Sequence, residues 1–132
     1  SRLADDMLSL AWQIKWTSTH SVGAIEGVRR GAFSPDRSPP AESLADHRAQ
    51  IDASIATLGA ITAEELESYI GKDVVFTAGE LRMDFTAENF LLSFSQPNFY
   101  FHAATAYDIL RHVGLPIGKR DFMGRPLIKT PA

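Results

Sequence analysis

The 132 residues are 45% hydrophobic and 22% charged, the balance of one ordinary soluble domain, and polar groups interrupt every apolar run before the roughly 18 residues a membrane span needs. A net charge of −3 opposes broad nucleic-acid binding, whose usual footprint is a basic stripe. Zero cysteines exclude a disulfide framework, a thiolate metal site and a cysteine nucleophile, and make a cytoplasmic address the default.

From Leu3 the apolar residues Leu3, Met7, Leu10, Ile14, Val22, Ile25 and Val28 follow a helical period, with Leu8, Trp12 and Trp16 widening the face. One long helix with two buried sides is predicted. Arg29 and Arg30 suit the negative end of its dipole, and Gly31 suits a left-handed cap. The chain opens at Ser1 rather than Met, already helical in pattern, so a missing N-terminal segment is expected. Phe33 to Pro40 holds three prolines and reads as an extended surface connection. A second helix is expected after Ser43, with Leu44, His47, Ile51, Ile55 and Leu58 on one face and its end at Gly59. Thr62-Ala63-Glu64-Glu65 is a capping-box pattern for a short helix to about Ile70.

Val74 to Thr77 and Leu81 to Phe85 flank Ala78-Gly79-Glu80, the pattern of a small β-hairpin insertion. Thr86 caps a further helix through Phe90 and Phe94. Pro97 then predicts either a kinked continuous helix or a break near Ser95 with a restart. The helix runs on to His112 and closes at Gly114, and residues 115–132 form a C-terminal tail packed along the outside. The expected fold is all-α, an up-down four-helix bundle in one domain over 1–132. Only three long helices are present, so burying the two-sided first helix requires a fourth, from an absent N-terminal segment or a partner chain.

Polar chemistry concentrates between Gln96 and Gly114. His102 is the leading candidate for a ligand or acid/base role, an imidazole among aromatic and small residues. The competing reading is a buried histidine bonded to a neighbouring helix. A helical two-histidine metal site needs its ligands four residues apart, and that position holds Ala106. His112 and Arg111 read as a dipole-matched helix end. His20 lies in the polar run Thr17-Ser18-Thr19-His20-Ser21, whose hydroxyls either line a pocket or bond back to the preceding turn. Gln13 lies two turns earlier on the same face, so both can point into one cavity, although an amide oxygen is a poor zinc ligand. Tyr100 and Tyr107 are further pocket-lining candidates. His47 reads as a satisfied core or boundary histidine, and Asp108 and Asp121 as ion-pair partners that pin the tail. No phosphate-binding glycine loop or serine elbow occurs.

The run Pro97-Asn98-Phe99-Tyr100-Phe101-His102, then Thr105 to His112, then Gly114 to Phe122, resembles the signature of a bacterial family of unknown function in the DinB/YfiT-like metalloenzyme superfamily. The resemblance implies a DinB-like four-helix bundle, commonly a homodimer, with this chain starting at the second helix of the pattern. It also implies a divalent metal held by a histidine of that helix and a His-x-x-x-His pair on the last. Here His102 resembles the first of the pair, Ala106 replaces the second, and Gln13 takes the place of the helix-two histidine.

Two functions are expected. In one, His102 and His20 hold a weakly coordinated divalent ion (Zn, Ni or Fe) that activates water or a small thiol, as in a small-thiol transferase or hydrolase. In the other, metal chemistry is lost and the protein is a dimeric binding or structural protein. Tyr100, Tyr107, His102 and Gln13 then form a hydrogen-bond network or line a small-molecule cavity. Ala106 and Gln13 favour the second. DNA handling finds no support in the charge pattern.

Overall fold

The expected long first helix is two helices, α1 (Leu10–Thr19) and α2 (Val22–Arg30), and the residues before Leu10 are not helical. The cause of the break is the polar run between them. Thr17 Oγ1 donates to Ile14 O at 2.7 Å, Thr19 Oγ1 to Lys15 O at 3.2 Å and Ser21 Oγ to Thr17 O at 2.7 Å, so side chains compete with the backbone for the carbonyls of the last turn. Ser21 itself leaves the helical region, at φ −116° and ψ −88°. Gly31 closes α2 in the left-handed conformation, φ 72°, as the sequence predicts.

The computed structural model describes residues 1–129. Phe33 is not on a surface connection: Ala32–Phe33 form strand β1, which pairs in parallel with β2 (Asp73–Ala78) in the register Phe33↔Phe76. β2 pairs antiparallel with β3 (Leu81–Thr86), so the expected hairpin is part of a three-stranded sheet in the order β1-β2-β3. The added strand lets the hairpin share the core. Ala24 and Val28 of α2, Phe33, Val74, Phe76 and Phe90 form one buried cluster between helix and sheet. The approach is close at Gly27, where a Cβ would stand 3.0 Å from Phe33 Cδ2.

Beyond β1, the proline-rich connection is tied to α1 by one buried ammonium. Lys15 Nζ donates to Ser38 O at 2.6 Å and lies 3.0 Å from Asp36 Oδ2. Helix α3 (Leu44–Gly59) starts on Ser43, whose Oγ accepts from the Asp46 N–H. Its buried side keeps His47 of the expected face and otherwise differs. His47 and Ser54 face inward, Ser54 Oγ donating to Ser18 Oγ of α1 at 3.1 Å, while Leu44 and Ile55 remain 78% and 63% exposed. His47 is also not satisfied, because its buried Nδ1 has no partner among the described residues. The short helix α4 (Ala63–Glu67) is capped by Thr62.

Thr86 caps the single turn α5 (Ala87–Asn89), which runs into a π-helical stretch, Phe90–Ser95, and then into α6 (Gln96–His112). The helical path runs through Pro97 without a break. The proline has no N–H to give the preceding turn, and the wider π-turn accommodates the lost α-helical bond. Asn98 Nδ2 donates to Phe94 O at 2.7 Å across the junction. The tail carries a short helix, α7 (Lys119–Met123), with Phe122 edge-on to Tyr107 at 5.7 Å. Neither expected ion pair forms among the described residues. Arg111 donates to Ile117 O at 2.6 Å, and Asp121 Oδ2 accepts from the Gly118 N–H. The last three positions of the expected tail, 130–132, lie outside the described residues.

Candidate functional site

Helices α1 and α6 bring Gln13, Trp16, His20 and His102 together. Gln13 Nε2 donates to Leu8 O at 3.2 Å, which turns Oε1 toward α6, where it meets His102 Nδ1 at 2.7 Å. The reverse amide orientation would set its oxygen against the Leu8 carbonyl, so Oε1 is the acceptor and His102 carries its proton on Nδ1. Gln13 therefore fixes the tautomer of His102 and leaves Nε2 with a free lone pair.

His20 stacks on His102 with ring centroids 5.7 Å apart and planes 12° from parallel, and Trp16 stacks on both, at 5.7 Å from His20 and 5.9 Å from His102. The stack is buried, His20 being 7% and His102 9% exposed. Burial disfavours the charged imidazolium, and the neighbouring His102 adds repulsion, so His20 is pushed down to about 4. Burial also lowers His102. Both rings are neutral near pH 7. Ser95 Oγ of the π-helical stretch donates to His20 O at 2.8 Å, holding the end of α1 against α6.

His20, His102, Trp16 and Asn98 line a cavity of about 260 Å³, whose other walls are Leu8, Pro35, Phe76 and Phe94. His20 also borders a second cavity, of about 360 Å³, that includes Ser95 and the 54% exposed Tyr100. Of the five pocket candidates, Gln13, His20 and His102 thus converge, Tyr100 sits in the adjoining cavity, and Tyr107 packs on the tail beside Phe122 and does not join them. Trp16, Ser95 and Asn98 belong to the site and were not among the expected residues. Trp16 stands at i−4 from His20, a helical spacing that brings the two rings to one face.

A three-ligand divalent ion does not fit this donor set. No group of three His, Cys, Asp or Glu comes together among the described residues, and no carboxylate lines the cavity. Gln13 Oε1, standing where a ligand was expected, is engaged by His102. No helix of the described residues is long and apolar enough to cross a membrane.

A family model described as "Domain of unknown function (DUF1993)" matches residues 1–123. No curated protein matches. Among solved structures, the chain is similar to the crystal structure of a DinB family member protein from Shewanella denitrificans, at 27% identity and a TM-score of 0.74 over 99% of this chain and 74% of that one.

Proposed function

Since the chain belongs to the DUF1993 family, a domain of unknown function with a DinB-family structural neighbour, we propose a function from the site itself: a binding protein for a small molecule, with a degenerate metal site. The observation that carries this reading is the use of Gln13. Its amide orients His102 instead of completing a coordination sphere, and the imidazole it orients opens on a mostly apolar cavity. Elemental analysis of protein purified without a metal-affinity tag, followed by titration of small aromatic probes watched at the His102 and Trp16 ring signals, is the test. Perturbation of those signals by a probe, in protein free of stoichiometric metal, is expected. A stoichiometric divalent ion lost in His102→Ala would overturn the reading.

That outcome would favour a second reading, a divalent-metal enzyme of small-thiol transferase or hydrolase type using His102. Its support is that an imidazole whose Nδ1–H is held by an oxygen, with Nε2 open, is also how metal-ligating histidines are oriented.

The finer architecture belongs to the same proposal: a bacterial, cytoplasmic homodimer whose bundle is completed by a fourth helix preceding Leu10 in a longer polypeptide. Its support is the groove between α3 and α6, floored by Thr17 and Ser18 of α1 and by Ser21 after it, and walled by Ile51, Ile55, Phe99 and Ala103. Light scattering of this chain and of a longer natural form tests both statements. A groove filled by a second copy of the chain would refute the fourth helix.

A further inference from the structure

We infer that His20 and His102 present one hydrogen-bond donor and one acceptor to the same cavity, and that the cavity takes a small uncharged apolar molecule bearing a hydroxyl, of the size of a phenol. The inference rests on the small-molecule reading and names its ligand class.

The acceptor is His102. Its Nδ1–H is committed to Gln13 Oε1 at 2.7 Å, so the neutral ring has only the Nε2 lone pair left to offer. The donor is His20. Its Nδ1 is sealed from solvent and has no partner among the described residues. The stack already holds one sealed N–H without a partner among the described residues, that of Trp16 Nε1, and a second would be costlier than a sealed lone pair, so the His20 proton is placed on Nε2. The Nε2 atoms have no hydrogen-bond partner among the described residues and are not among the sealed atoms; both rings line this cavity, and His20 borders the larger one as well.

A hydroxyl can accept from one imidazole and donate to the other at once. A carboxylate cannot donate, and a hydrocarbon can do neither. Charge is unsuited to the site in either sign: no Lys, Arg, Asp or Glu lines the cavity, and its walls are Leu8, Trp16, Pro35, Phe76 and Phe94. The volume of about 260 Å³ exceeds the roughly 150 Å³ that holds benzene, so a single ring with its substituent is admitted. Asn98, one of whose Nδ2 hydrogens is held by Phe94 O, adds an acceptor and a second N–H at the same wall.

The test is titration with phenol, toluene and benzoate, together with long-range proton–nitrogen spectra of the histidine rings. Phenol is expected to bind about tenfold more tightly than toluene, the worth of a pair of neutral hydrogen bonds, and benzoate more weakly than either. In Gln13→Met, which frees the His102 tautomer, the phenol-to-toluene ratio is expected to fall but to stay above one, since His20 still donates; an unchanged ratio would overturn the role given to His102. Equal binding of phenol and toluene would overturn the donor and acceptor assignment while leaving the cavity reading intact. Binding of none of the three would overturn both. Should Gln13→Met fail to fold, the wild-type spectra still decide, because a proton on His102 Nε2 rather than Nδ1 refutes the inference.

Discussion

Mild acid should destabilise this protein through its buried histidines, and most through His20. Its imidazole titrates near its ordinary 6.5 in the unfolded chain and is pushed down to about 4 in the folded one by burial and by His102. The sign follows from the charged form being favoured only after unfolding. Stability is unaffected well above 6.5 and is lost as pH falls through the window from about 6.5 to about 4. At about pH 5 the unfolded state gains a protonation factor of about 30 over the native state, or about 2 kcal/mol; the loss levels off at about 3 kcal/mol below about pH 4. The ring is only 7% exposed, so solvent screening takes little away. Urea unfolding of wild type and His20→Gln at about pH 7.5 and about pH 5 reads this directly, because the carboxylates titrate alike in both proteins and cancel. Wild type should lose about 2 kcal/mol more than the variant over that interval. Parallel losses would refute the reasoning, since they would mean that His20 meets water, or a compensating charge, in the folded state.

Ser95→Ala leaves the buried His20 carbonyl without its donor, and should cost about 1–3 kcal/mol in urea unfolding. Gly27→Ala would gain about 1 kcal/mol of helix propensity, but its Cβ meets Phe33 Cδ2 at 3.0 Å and Phe33 Cβ at 3.1 Å, so a lowered melting temperature is expected. Added Zn, Ni or Fe at about a hundredfold over a micromolar dissociation constant would raise stability by about 2.7 kcal/mol if a complete site existed; a thermal shift near zero is expected instead.

What could be read from the sequence was local chemistry. Ser43, Thr62 and Thr86 cap the helices they were expected to cap, and Gly31 ends α2, because each acts through bonds within a few residues. What failed was mostly what a distant partner decides, and in one place a choice between two local bonding patterns. Phe33 reads as connection until Phe76 pairs with it, since a two-residue strand has no period of its own. The break before Ser21 lies inside an apolar period that continues through it, and only the hydroxyl bonds reveal it. In α3, Ser54 turns inward to meet Ser18, so the periodic face that includes Ile55 is left open. The site was half legible. The types and spacing of Gln13 and His20 suggested one cavity, but their order, Gln13 behind His102 rather than beside it, is a matter of one amide orientation set by Leu8.

The π-helical stretch Phe90–Ser95 has a consequence for the phase of everything after it. Each α-helical residue advances the side-chain direction by about 100°, and a π-turn accommodates one residue more than an α-turn. The direction in which α6 presents His102 is therefore set by a surplus residue upstream as much as by α6 itself. Deleting any one residue between Phe90 and Ser95 would let the stretch close as ordinary α-helix and rotate α6 by about a quarter turn against the sheet, carrying His102 away from Gln13. Natural relatives that differ in length at this one place would share the sheet and its aromatic cluster, yet aim a different row of α6 at α1.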